Sequence, residues 1–320
     1  MKLGLYTDSL GQMSLEEVLT TATELKLNCL EFGCANWSSS PHLDAEEMIE
    51  NDLKRQSFLS EIKNCGLAIS ALNCSGNPLT PGQGGKQHDE GVRKTIKLAS
   101  LMGVERVVMM SGCPGGPGDK NANWITSAWP PENRKILQWQ WDTVLIPYWR
   151  DLVNYANKLG VYKLCLEMHS MQNVYNVETL LRLRESVGPT VGANFDPSHL
   201  LWMGADPLAA IRHLGDAIYH AHAKDTRIDP INCGINSRIE TKGFGQIFER
   251  SWNYVTLGYG NDERWWCDFV IALRGVGYDD VLSIEHEDAL MSPIEGIRKS
   301  VDLLNRVATH EPGAWNPLLD

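Results

Sequence analysis

Leu164-Cys165-Leu166-Glu167-Met168-His169 places an acid and an imidazole two residues apart at the end of an apolar run. In a β-strand residues i and i+2 point to the same face, so the two side chains leave together. Three later stretches repeat the arrangement: Gly192-Ala193-Asn194-Phe195-Asp196, Ile218-Tyr219-His220-Ala221-His222-Ala223-Lys224 and Leu282-Ser283-Ile284-Glu285-His286-Glu287. Four strands that each end in polar groups imply one shared site.

Outward from these strands, short β-like runs alternate with helix-period segments along the chain, the pattern of parallel βα units. Earlier strands are expected at residues 2–6, 27–32, 68–73 and 106–110. Ser14 and Glu17 form a Ser-x-x-Glu capping box for the first helix. One long helix is expected over 44–65, stopping at Gly66, and another over 132–158, with Pro147 kinking it or ending its first half. Two long loops, rich in Trp, Gly and Pro, follow strands four and seven; the second spans 226–260. Long loops inside compact domains are often lids or binding loops. Eight strand-helix units predict an α/β fold, a single (β/α)₈ TIM barrel over residues 1–310 with a C-terminal tail at 311–320. A doubly wound sheet would need a Gly-rich phosphate turn after strand one, and Asp8-Ser9-Leu10-Gly11-Gln12-Met13 is not one. In a barrel the catalytic groups sit at the C-terminal ends of the strands.

The chain has 320 residues, 43% of them apolar, enough for one large core. Its net charge of −11 opposes binding to a phosphate backbone, so nucleic acid is not an expected partner. The eight cysteines form no C-x-x-C pair and are read as reduced thiols packed in the core. The N-terminus enters a strand at once, and no apolar run approaches the length of a membrane span. A cytoplasmic protein that does not enter membranes is expected.

In a barrel Glu167, Asp196, His222 and Glu285 stand at matching heights on strands five to eight. Three carboxylates and one imidazole are a mostly hard ligand set for a divalent cation: Mn²⁺ first, then Mg²⁺ or Co²⁺, with Zn²⁺ left open. Such an ion, holding a carbonyl and an adjacent hydroxyl, acidifies the neighbouring C–H. Glu167 and Glu285 are then candidate base and acid. His169 adds a base that titrates near neutral pH, or a packed barrel histidine. Lys224 either steadies an oxyanion or neutralises the acidic mouth. Glu287 is an extra acid/base or an outer partner, and His220, deeper in the strand, is read as structural. Arg227 is placed to hold a substrate oxygen. Trp124 and Trp252, with Trp129, offer flat faces to a sugar ring.

The motifs Leu166-Glu167, Asn194-Phe195-Asp196-Pro197-Ser198-His199, His220-Ala221-His222-Ala223-Lys224-Asp225 and Ser283-Ile284-Glu285-His286-Glu287-Asp288 resemble those of the xylose-isomerase-like TIM barrels. That group includes ketose 3-epimerases, inosose dehydratase, C-glycoside deglycosidase α-subunits and endonuclease IV. The resemblance implies a Glu/Asp/His/Glu metal site, here Glu167, Asp196, His222 and Glu285, and a substrate-binding role for His199. It departs at Asn173, where the ketose epimerases place a second substrate-binding Glu.

A divalent-metal-dependent sugar isomerase or epimerase is therefore expected, working on a ketose or keto-sugar by proton abstraction next to the carbonyl. The rival is a lyase or dehydratase that eliminates from a keto-glycoside or inosose. An endonuclease IV-like phosphodiesterase would need histidine ligands on the early strands, where the chain has only His42 and His88, both outside strands. A non-catalytic sugar-binding barrel would have lost a ligand or the acid/base pair. A homo-oligomer or a second subunit stays open.

Overall fold

The computed structural model describes residues 1–311. Eight parallel strands close into a barrel: β1 (Lys2–Tyr6), β2 (Cys29–Gly33), β3 (Ala68–Asn73), β4 (Arg106–Met109), β5 (Lys163–Glu167), β6 (Val191–Phe195), β7 (Ile218–Ala223) and, after the two strands of an inserted hairpin, β10 (Val281–Ile284). Neighbours follow chain order around the ring, and β10 closes it between β7 and β1. This is the expected (β/α)₈ barrel. The expected tail lies outside the described residues, apart from residue 311.

Each strand is apolar on the face that meets the helices, and the main core lies in that layer. The last helix, Pro293–Val307, is capped by Ser292 and buries Ile297, Val301 and Leu304 on one stripe. The other face of each strand points into the barrel. There Ala71, Val108 and Cys165 form a small apolar plug, with polar residues above it at the C-terminal mouth. Glu167 pairs in register with Asn194, Asn194 with His220, and Ser283 with His222. A register shift at Ala193/Asn194 sets His220 opposite Asn194, and alternation along β7 turns His220 and His222 to the same, interior face. All eight cysteines are free, as expected.

Three elements differ from the sequence expectation. The helix over 44–65 is two helices, Ala45–Glu50 and Asp52–Asn64. Asn51 is extended between them, and its side chain accepts from the Lys54 N–H to cap the second. The helix over 132–158 contains a wide π turn, Gln140–Leu145, between Pro131–Trp139 and Ile146–Lys158. Pro147, which has no N–H to donate, stands in the first turn of the last of these, directly after the wide turn. The insertion after β7 is not a plain loop. It holds an antiparallel pair, β8 (Asp225–Ile228) and β9 (Trp252–Val255), with a short helix, Pro230–Asn236, between the strands.

Candidate metal centre and active site

Glu167 ends β5, Asp196 follows β6 and caps the next helix, His222 lies near the end of β7, and Glu285 follows β10. Each offers one ligand atom, and the four atoms lie within 4.8 Å of one another. His222 Nδ1 stands 2.9 Å from Glu285 Oε2 and 3.3 Å from Glu167 Oε2. Yet His222 Nδ1, Glu285 Oε2 and Asp196 Oδ2 are all buried without a hydrogen-bond partner. Buried polar atoms are normally paired. Converging orphan atoms with about the spacing of ligands around one ion fit a divalent cation, and these four residues are the ones that would hold it.

Glu31 was passed over in the sequence. It lies in β2, fully buried, and accepts from Asn73 Nδ2 at 2.8 Å and from Ser283 Oγ at 2.9 Å. His222 Nε2 donates to it at 3.0 Å, which turns Nδ1 toward Glu167 and Glu285. Burial alone would raise the Glu31 pKa, but His222, His220 and Asn73 hold it down at about 2. His220 sits beside this carboxylate, its Nε2 3.4 Å away; burial pushes its pKa down to about 4, so it is neutral. The signal for Glu31 was present in Cys29-Leu30-Glu31-Phe32-Gly33, an acid set in an apolar strand.

His199 Nε2 lies 3.1 Å from Glu167 Oε1 and 3.2 Å from Asp196 Oδ2, while its Nδ1 pairs with the Tyr254 hydroxyl at 3.0 Å. The His169 ring faces it, 4.2 Å between centroids, with Nδ1 held by the Ser170 carbonyl at 2.6 Å. Burial, and then the neighbouring His199, lowers the His169 pKa to about 4. Lys224 is 3% exposed and pairs with Glu285 at 3.1 Å and Glu287 at 2.6 Å. Burial works against its charge, but those two carboxylates keep its pKa well above the usual value. Its ammonium also stands 4.3 Å from the centre of the Tyr254 ring.

These groups open into a cavity of about 840 Å³ at the barrel mouth. One wall is aromatic. Trp202 and Trp252 stack at 4.6 Å, Tyr254 packs against Trp252, and Phe244 lies over both. Trp124 lines the cavity as expected, while Trp129 is 76% exposed and does not. Arg227 is a correction: it is exposed and does not line the cavity, because alternation along β8 turns Thr226 inward and Arg227 outward. Asn173 is buried behind the wall, its amide toward Gln140, so its position does not reach the cavity either. His42 bonds the Met13 carbonyl, and His88 Nδ1 accepts from the Asn77 N–H; neither joins a metal-ligand group among the described residues. No helix among those residues is long and apolar enough to cross a membrane.

The family model of the xylose isomerase-like TIM barrel matches residues 19–307. The "Uncharacterized protein YfiH" of Bacillus subtilis (strain 168) is 48% identical over 309 residues, 96% of this chain and 99% of that protein. An inosose dehydratase of Clostridium tetani (strain Massachusetts / E88) is 33% identical over 90 residues, 26% of this chain and 30% of its own. Among solved structures, the IOLI protein with a binding zinc atom superposes with a TM-score of 0.66 at 17% identity, covering 97% of this chain and 100% of its own. A D-tagatose 3-epimerase-like protein does so at 0.64 and 18%, covering 96% and 98%. With the family model matched over most of its length and a full-length relative nearly half identical, the chain belongs to the xylose isomerase-like TIM-barrel family.

Proposed function

We propose that the protein is a divalent-metal-dependent sugar isomerase or epimerase that abstracts a proton next to the carbonyl of a ketose or keto-sugar. One observation carries this reading: Glu167 and Glu285 approach the same imidazole, at 3.3 and 2.9 Å, from strands three positions apart around the barrel. When bound, a divalent cation would draw charge from the carbonyl and adjacent hydroxyl and so acidify the C–H between them. Mn²⁺ is the first choice; Mg²⁺ and Co²⁺ also suit the carboxylates, and Zn²⁺ suits the imidazole.

The protein supplies the rest. One glutamate takes the proton and the other returns one from the second direction, which inverts the carbon. Lys224, at 3.1 Å from Glu285, steadies that carboxylate in its charged form. His199, held by Tyr254, binds a substrate oxygen, and neutral His169 beside it is a further proton acceptor. The Trp202–Trp252 wall packs the apolar face of a sugar ring and sheds water from it.

A second reading, elimination from a keto-glycoside or inosose, is favoured by the size of the cavity and its aromatic wall, which have room for more than a free ketohexose. The partial likeness to an inosose dehydratase points the same way. The metal-loaded protein, incubated with ketoses, 3-keto-sugars and keto-glycosides in D₂O, separates the two. Deuterium entering an intact skeleton is expected, whereas release of water or an aglycone would establish the lyase. Full turnover by Glu285→Gln would overturn the catalytic assignment in either case.

A further inference from the structure

Asp8, just past the end of β1, stands in the cavity wall and has no part in the proposed reaction. We propose that Asp8 selects the substrate: its carboxylate accepts from the hydroxyls, remote from the carbonyl, of a neutral polyhydroxylated keto-sugar. The proposal rests on the proposed function and narrows its substrate class.

The carboxylate is held in a built seat. Ser9 Oγ accepts from the His286 N–H at 2.9 Å, which ties the loop after β1 beside Glu285. The Gly11 N–H donates to the Asp8 carbonyl at 3.0 Å and closes the turn. Asp8 Oδ1 is buried next to Gly33, in β2, where a Cβ would collide with both Asp8 Oδ1 and Ser38 Oγ. A glycine inside a strand marks a place where another group must come close, and here that group is the Asp8 carboxylate. Burial raises the Asp8 pKa, while the Ser38 and Tyr6 hydroxyls pull it the other way. With Oδ1 held inward, the open edge of this half-buried carboxylate is turned to the cavity.

Around the barrel β1 and β2 stand across from β5 and β6, so Asp8, Ser38 and Trp37 face the wall that carries Trp202 and Trp252. A sugar ring with its apolar face on that wall turns its hydroxyls to the sides and the far rim. An ionised carboxylate there accepts from hydroxyls more strongly than a neutral oxygen does. Charge sets the class of the substrate. The cations that line the cavity are already engaged: Lys224 with Glu285 and Glu287, Lys242 with Glu240 at 2.7 Å, and Arg250 with the Trp252 carbonyl at 3.1 Å. A phosphate or a sugar acid would have to break one of these contacts and would meet Asp8 with like charge.

The test is binding, which needs no turnover. The full chain, loaded with Mn²⁺, is titrated calorimetrically with D-fructose, 2-keto-myo-inositol and methyl 3-keto-α-glucoside, and with D-fructose-6-phosphate. At least one neutral probe is expected to bind, and the phosphate no more tightly than fructose. Asp8→Ala is expected to weaken the tightest neutral probe by about 10-fold or more, the loss of a hydrogen bond to a charged group, with Mn²⁺ affinity kept. Where circular dichroism finds that variant unfolded, Asp8→Asn, which keeps the shape and removes the charge, takes its place in the same comparison. Unchanged probe affinity, an equal fall in Mn²⁺ affinity, or a preference for the phosphate overturns the proposal. A wild type that binds no neutral probe overturns it together with the proposed substrate. Asp8-dependent binding without deuterium exchange or elimination supports it and overturns the proposed reaction instead.

Discussion

Glu31 does for His222 what Tyr254 does for His199: it holds the nitrogen that faces away from the site. Removing its charge leaves the ligands in place but loosens the ring they depend on. Outer partners of metal-bound histidines are commonly worth 10- to 100-fold in affinity. Glu31→Gln is therefore expected to weaken divalent-metal binding by about 10-fold or more while keeping its secondary structure. Calorimetric titration measures this, and an unchanged affinity would count against the orienting role. The four candidate metal ligands were legible because each acid or imidazole stands within an apolar strand or just past its end. Glu31 met the same test but lacked a polar companion two residues away, since Cys29 holds that place. The cysteines were legible for the opposite reason: a thiol among apolar neighbours simply packs. Burial pushes the pKa values of Cys29, Cys74, Cys113 and Cys165 up to about 12. Iodoacetamide at pH 8 is expected to label no more of the native protein than the half-buried Cys65, Cys233 and Cys267. Peptide mapping reads this out, and labelling of Cys165 without unfolding would contradict the packing.

The elements show where pattern stops being informative. Barrel strands are apolar runs set between helices, and the chain announces all eight. The strands β8 and β9 have four residues each and are joined by a long connection, too short for alternation to register and too far apart for a turn signal. With the hairpin unseen, the side taken by Arg227 had no basis in the sequence. The break at Asn51 escaped for a related reason, since Asn51 falls inside a continuous helical pattern and ends one helix by capping the next. What fastens the hairpin is Asp225. Its buried carboxylate accepts from the N–H groups of Gly258, Gly260 and Asn261, at 3.0, 3.2 and 3.0 Å, and from Asn261 Nδ2 at 2.7 Å. Asp225→Ala strands these donors. Gly258 and Gly260 are exposed enough for water to replace part of the loss, so destabilisation of about 2 kcal/mol is expected rather than the sum of several lost bonds. Because β9 carries Trp252 and Tyr254, KM should rise more than kcat falls. Denaturant melts and amide exchange over residues 226–260 test the anchor, and unchanged exchange there would place the fastening elsewhere.

At the scale of the whole molecule, the barrel gathers like charges in its mouth. Glu167, Asp196 and Glu285 converge within a few ångströms, Glu31 lies beneath and Glu287 above, and the chain already carries a net charge of −11. In the metal-free protein buried His199, His222 and Lys224, whose pKa values neighbouring carboxylates raise against the effect of burial, offset part of that charge. Like carboxylates at such range repel strongly once water is excluded. A divalent cation would relieve the repulsion in the folded chain alone, because the unfolded chain has no assembled site. Binding to the native state alone stabilises it by about 2.7 kcal/mol when free metal is 100-fold above Kd. With an unfolding entropy of about 2.1 cal/mol/K per residue, each kcal/mol moves the midpoint of a chain of this length by about 1.5 °C. Chelator-treated protein is therefore expected to melt about 4 °C below the Mn²⁺-loaded form at that metal concentration, and the gap should widen with metal concentration. Asp196→Asn removes one ligand charge and should shrink the gap; it should also lower the midpoint of the metal-free form, because His199 and Lys224 outweigh burial and hold the Asp196 carboxyl below its usual pKa, so that its charge stabilises the fold. Calorimetry on the four samples separates these effects. Coincident melts with and without metal in the wild type would mean that the cluster balances its charge through its own histidines and lysine and holds no ion.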